Sequence, residues 1–223
     1  MSPNKFTGLS LAILVALQAP FAGSAYAQSK AQAEEMEKAE RSVKAAKQAE
    51  LLRKGPKVAL PAASVPLDPA NVWDLQLSDG GVVRIQLRPD VAPEHVARIK
   101  ELTNRGFYNG LVFHRVIDGF MAQGGDPKGD GTGGSDLPDL KAEFNFLPHV
   151  RGAVAMARSQ SEDSANSQFF IMLMPRMQLD HKYTVIGRVI EGMSYVDAIE
   201  KGEPPANPTK ILTARMETAQ SGS

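Results

Sequence analysis

From Asn71 onward the apolar residues come in short runs, fenced by loops rich in Gly, Pro and Asp. That punctuation leaves little room for long helices or a parallel sheet, which needs long crossovers. The stretch "VWDLQLSDGGVVRIQL" holds two alternating runs around Ser-Asp-Gly-Gly and predicts a hairpin. Further β-rich runs follow at 111–117, 120–124, 152–157, 168–174 and 183–190, and "ILTARMET" (211–218) reads as a closing strand. Two helices interrupt them. One starts near Pro93, carries Val96, Ile99 and Leu102 on one face, and ends by Gly106. The other, Ser194–Glu200, follows Gly192. The pattern predicts a mainly β domain, an antiparallel barrel or sandwich, over residues 71–216, with 217–223 as a tail.

Three segments precede it. Lys5 followed by the apolar run Phe6–Leu17 and "AYA" at Ala25–Ala27 has the form of a secretory signal peptide, residues 1–27. The apolar run is short for a membrane span. Cleavage after Ala27 would leave a protein with no stable membrane insertion, and in a bacterium this places it in the periplasm. Residues 28–54 are rich in Ala, Glu, Lys and Gln, with the i to i+4 pairs Glu34–Lys38, Glu37–Arg41 and Glu40–Lys44. They predict a charged spacer helix; the sharper alternative is weak self-association through a coiled-coil seam over 30–54. Residues 55–70 contain four prolines and read as an extended linker.

Composition narrows the chemistry. The 25 basic and 25 acidic residues cancel, which argues against a nucleic-acid partner. The absence of Cys removes disulfides, thiolate nucleophiles and Cys-based metal sites. No two of the four histidines, His95, His114, His149 and His181, form an i, i+4 metal pair, and no metal or other cofactor is expected. There is no G-x-S-x-G elbow. The Gly-rich "GGDPKGDGTGG" (124–134) lacks the Gly-Lys-Ser/Thr ending of a phosphate loop and reads as tight backbone turns.

What remains is "FHRVIDGFMAQGGD" (113–126). Arg115 alternates with Phe113 and Ile117, so the three share a strand face. A two-residue turn at Asp118-Gly119 would place Arg115 opposite Ala122. A three-residue loop, Asp118-Gly119-Phe120, would place it opposite Gln123, with Phe120 and Met121 beside it. The second register gives a fixed cation at the edge of an apolar dish. That would suit a ligand that is mostly apolar with one polar atom.

This hairpin, with "GTGG", "AEF", "SQFFI" and "LDHKYTVIGRV" after it in order, resembles the cyclophilin family of peptidyl-prolyl isomerases across about 71–216. Tyr183, where animal members carry His, and the extra residue between Met156 and Gln168 resemble the bacterial branch. The resemblance implies a closed eight-stranded antiparallel β-barrel capped by two helices, with a groove on its outer surface. The implied groove is His114, Arg115, Phe120, Met121, Gln123, Ala157, Arg158, Gln168, Phe170, Leu179 and Tyr183. Within it Phe120, Met121, Phe170 and Leu179 would form a proline pocket, Arg115 would act on the amide and Gln123 would brace Arg115. Arg158 stands where the family usually carries Asn, and Gln178 where cyclosporin-sensitive members carry Trp. The implied activity is cis-trans isomerisation of X–Pro bonds in exported or unfolded polypeptides. The competing reading is a chaperone or scaffold module that binds proline segments with little turnover, and a third is an assembly protein in which the 30–54 helix mediates oligomers.

Overall fold

A computed structural model describes residues 38–39, 42–43 and 65–217. The expected signal peptide, most of the spacer helix, residues 55–64 of the linker and the end of the tail lie outside the described residues. Lys38, Ala39, Ser42 and Val43 are helical and exposed. Among the described residues no helix is long and apolar enough to cross a membrane.

Eight antiparallel strands form one curled sheet: β1 (Val72–Leu77), β2 (Val82–Leu87), β3 (Arg115–Ile117), β4 (Met121–Gly124), β5 (Ala153–Met156), β6 (Phe169–Met172), β7 (Val185–Glu191) and β8 (Ile211–Met216). Their order is β3-β4-β6-β5-β7-β2-β1-β8. Two helices accompany the sheet, α1 (Pro93–Asn104) and α2 (Met193–Ala198). Every run read from the sequence contains a strand, and both helices lie where spacing placed them.

The expectation of a closed barrel is not met: the sheet is a curled half-barrel, with no ladder between its end strands β3 and β8. Isolated bridges cross that seam instead, Val112 to Lys210 and Val116 to Gly202. The cause lies in the segment before β8. Pro204, Pro205 and Pro208 have no N–H to donate, so a regular ladder cannot run through 201–209.

Strand alternation sorts the side chains into two apolar layers. Val116, Ala122, Ile171 and Val154 point inward, to a core shared with Trp73, Tyr108, Phe113 and Phe169. The four aromatic rings meet edge to face, with Trp73 and Phe169 4.9 Å apart. Met121, Met172, Phe170, Ala153, Ala155 and Val185 point outward, yet they too are buried, as a second cluster. Hence β5 and β6 are covered on both faces and read as near-continuous apolar runs.

α1 lays Val96, Ile99 and Leu102 on the inner core. Its N-cap residue, Ala92, offers no side-chain acceptor. Glu143, from the distant "AEF" segment, supplies one: its carboxylate accepts from the N–H of Glu94 (3.2 Å) and His95 (3.1 Å) and pairs with His95 Nδ1 (2.6 Å). His149 makes a matching pair, its backbone N–H and its Nδ1 both reaching Asp180 Oδ1, at 2.8 and 2.9 Å.

His95, His114 and His149 are all buried, and burial pushes each imidazole below its ordinary pKa of 6.5. The unfolded chain therefore takes up protons near pH 6.5 that the folded protein resists. Stability is fully present above that pH and falls as pH drops below it, by up to about 1.4 kcal/mol per pH unit per histidine. The urea midpoint is expected to be lower at pH 5.5 than at pH 7.5; an equal or higher midpoint at pH 5.5 would contradict this account.

Candidate active site

The β3–β4 turn settles the register left open by the sequence. Ile117 pairs with Met121 and Arg115 with Gln123, so the loop is the three-residue one, 118–120. The row continues outward from Gln123 to Phe170 and Ala155. Arg115, Gln123 and Phe170 thus stand side by side on the outer face because the ladder aligns them.

A cleft of about 140 Å³ opens there. It is lined by Arg115, Phe120, Met121, Gln123, Ala157, Arg158, Phe170, Leu179 and Tyr183. Nine of the eleven residues expected from the sequence therefore converge. Gln168 lies next door, in a polar cleft of about 420 Å³ that shares Gln123, Ala157 and Arg158 with the first. His114 lines neither cleft. It is 5% exposed, and its ring lies under the following loop, its Nε2 3.8 Å from where a Cβ on Gly131 would sit. His114 precedes β3, where regular alternation stops: Phe113, expected on the face of Arg115, lies instead in the inner core.

The apolar floor is held from behind. Phe170 meets Tyr183 edge on at 5.6 Å and stacks on buried His149 at 6.1 Å. Arg176 places its guanidinium 5.6 Å from the Phe120 ring while Nη2 donates to the Gly119 carbonyl at 3.0 Å. Neither His149 nor Arg176 carries a periodic signal in the sequence. Both belong to loops, and their role is visible only in three dimensions.

Arg158 is similarly committed. Its Nε and Nη2 donate to the Lys182 carbonyl at 3.2 and 3.0 Å, and Nη1 donates to the carbonyls of Ser159 and Gln160 at 2.9 and 3.2 Å. Its guanidinium lies 4.7 Å from the centre of the Tyr183 ring. It splints the Tyr183 wall, and its donors are spent on backbone. This explains how Arg can occupy a position where Asn is usual: here it acts as scaffold.

Gln123 does not brace Arg115. Its Nε2 donates to Gln168 Oε1 at 2.9 Å, and Gln168 Nε2 passes on to the carbonyls of Gly131 (3.1 Å) and Gly133 (2.8 Å). Arg115 instead donates from Nε to Glu203 Oε2 at 2.7 Å. Glu203 sits in "GEPPANP", where prolines mask any strand pattern, so nothing in the sequence pointed to it. Arg115 is 41% exposed and lines the cleft.

The Gly-Gly-Asp tail of the hairpin builds the far wall. Gly125 has φ +84, and a Cβ there would come within 2.6 Å of the Ser167 carbonyl, so only Gly fits the close approach. Asp126, 1% exposed, accepts from the N–H groups of Lys128 (2.8 Å), Asp130 (3.1 Å) and Gly131 (2.5 Å). Burial alone would raise its carboxyl pKa, but the backbone donors outweigh it and hold the group below the ordinary carboxylate value.

Comparison with known proteins agrees with this architecture. Residues 72–216 match the family model described as "Cyclophilin type peptidyl-prolyl cis-trans isomerase/CLD". A probable peptidyl-prolyl cis-trans isomerase of Brucella suis biovar 1 (strain 1330) is 52% identical over 166 residues, covering 67% of this chain and 84% of that protein. Peptidyl-prolyl cis-trans isomerase B of Bacillus subtilis (strain 168) is 42% identical over 129 residues, covering 57% and 89%. Among solved structures, cyclophilin AquaCyp293 from Hirschia baltica matches with TM-score 0.64 and 31% identity, over 69% of this chain and 77% of that one. A Cryptosporidium parvum cyclophilin type peptidyl-prolyl cis-trans isomerase, crystallised in the presence of the dipeptide Ala-Pro, matches with TM-score 0.62 and 26% identity, over 66% and 99%.

The loop behind the polar cleft depends on one carboxylate. Asp126→Ala should leave buried N–H groups unpaired and lower stability by roughly 2–3 kcal/mol in urea titration. A loss under about 0.5 kcal/mol would mean that water replaces the carboxylate.

Proposed function

The chain belongs to the cyclophilin-type peptidyl-prolyl cis-trans isomerases and is an enzyme of that class; from this premise we propose that Arg115 is the group that accelerates rotation about the X–Pro bond, on polypeptides exported to the periplasm. Export is supported by Lys5, the apolar run 6–17 and "AYA" at 25–27. The observation that carries the role of Arg115 is its position: a cation lining one cleft with the apolar side chains of Phe120, Met121, Phe170 and Leu179.

The amide sets the task. Resonance keeps the X–Pro bond planar behind a barrier near ~20 kcal/mol, and uncatalysed exchange takes tens of seconds or more. Reaching about milliseconds needs a factor of roughly 10⁴–10⁵, or about 6 kcal/mol. No bond need be made or broken. As the amide twists, conjugation is lost and the prolyl nitrogen gains a lone pair. A donor aimed at that lone pair stabilises the twisted state more than either planar one. Arg115 suits this because guanidinium stays charged at any working pH and presents a fork of N–H groups. The apolar cleft would grip the proline ring, and backbone groups at 157 and 158 would hold the segment before it.

Arg115→Ala should fold normally, since the side chain is half exposed, and should lose roughly two to three orders of magnitude in kcat/KM on an X–Pro peptide. A folded variant with wild-type kcat/KM would refute the role. Gln178 is exposed in the turn Met177–Leu179 beside the cleft and offers no indole. Weak cyclosporin binding is expected, and Gln178→Trp should tighten it; nanomolar binding by the unaltered protein would contradict this.

A further inference from the structure

Arg115 has a neighbour on each side. Gln123 faces it across the β3–β4 ladder, and Glu203 faces it across the seam. The seam contact is not incidental. Val116 and Gly202 exchange both backbone hydrogen bonds, at 2.8 and 2.9 Å. In an antiparallel bridge the residue before Val116 lies opposite the residue after Gly202. Glu203 is therefore carried to Arg115 by backbone pairing, and the 2.7 Å contact from Nε to Oε2 completes it. Gly202 fixes the approach: its φ is +150, and a Cβ there would come within 2.5 Å of the Pro205 Cα.

We infer that Glu203 is a positioning residue for the isomerase: it holds Arg115 by Nε so that the guanidinium plane and its Nη fork stay turned toward the proline cleft. This rests on the reading that Arg115 is the donor to the twisted amide. An unrestrained arginine spreads over many rotamers, and the productive one must be selected at each turnover. Gln123 does not do the holding: no hydrogen bond joins it to Arg115, and its Nε2 donates to Gln168. Glu203 acts on the one nitrogen of Arg115 that lies on the side-chain stem, and so leaves both terminal nitrogens for the substrate. The pair is 41% and 51% exposed on its two sides, so it should contribute little to folding. Its effect should appear in turnover.

The test is a double-mutant cycle on the full chain with an uncharged X–Pro peptide, comparing Glu203→Ala, Arg115→Ala and the double variant. Glu203→Ala is expected to reduce kcat/KM by roughly three- to fivefold, the span of an exposed ion pair, with the loss in kcat and KM little changed. Glu203→Gln, which keeps an acceptor oxygen, should recover part of the loss. In the Arg115→Ala background, Glu203→Ala should have no further effect. Urea midpoints should match the unaltered protein; if Glu203→Ala lowers the midpoint, Glu203→Gln at equal folded concentration carries the comparison. Wild-type or raised kcat in both Glu203 variants, with activity lost in Arg115→Ala, would overturn the positioning role alone. Full activity in Arg115→Ala would instead overturn the reading beneath it. An equal loss from Glu203→Ala with and without Arg115 would assign Glu203 to the substrate and also refute the inference.

Discussion

The register of β3 against β4 is the constraint on which the rest of the site depends. Side chains alternate across a strand, so a slip of one residue would turn Arg115 and Gln123 into the core and Val116 and Ala122 out to solvent. The three-residue loop 118–120 prevents this. It also delivers Phe120, at its end, to the floor of the cleft. Burial on both faces enforces the same choice. Val116, Ala122 and Ile171 fill the inner core, while Met121, Phe170 and Met172 fill the outer cluster, so neither set can exchange places without exposing apolar surface or burying a guanidinium.

The outer cluster makes the site a surface with an interior of its own. A cleft on an exposed sheet face would have a solvated, mobile floor. Here the floor is backed by His149 and Asp180, which bring a buried ring against Phe170. Two arginines hold the rim, Arg176 at Phe120 and Arg158 at Tyr183, each donating to backbone carbonyls. Cations used in this way lend geometry and rigidity. Arg158 spends four hydrogen bonds on backbone carbonyls and so offers less to a passing amide than Arg115, whose contact is made from Nε.

Much of this could be read in the chain. The short runs located all eight strands, and the spacing of Val96, Ile99 and Leu102 located α1, because burial on one face leaves a period in the sequence. The convergence of Arg115 with Phe120, Met121 and Phe170 was legible through motif resemblance. What could not be read depends on contacts without a period. The seam stays open because prolines interrupt pairing near β8, a matter of missing donors that a strand count cannot register. Glu203 and Arg176 reach the site from loops distant in sequence. His114 was assigned to the groove by the motif resemblance, but it precedes β3 and its ring is buried under the 131 loop. The brace assigned to Gln123 is not made: facing positions make a contact available, but Arg115 Nε donates to Glu203 while Gln123 Nε2 donates to Gln168.

Exposure of Arg115 bears on how such a site could act. Near water, effective dielectric is high and a charged donor is worth little to a neutral nitrogen. The apolar floor changes this only when it is filled. A proline ring seated on Phe170 and Met121 would displace water from one side of the guanidinium and raise the strength of its hydrogen bonds. The energetic difference between planar and twisted amide would then be felt most when a proline, and not merely any residue, occupies the cleft. Selectivity for proline and acceleration of its rotation would have one origin: the residue that fits the floor is also the one that dries the donor. A carboxylate at Nε suits this arrangement, since it restrains the cation through the stem nitrogen and makes no bond to the terminal ones.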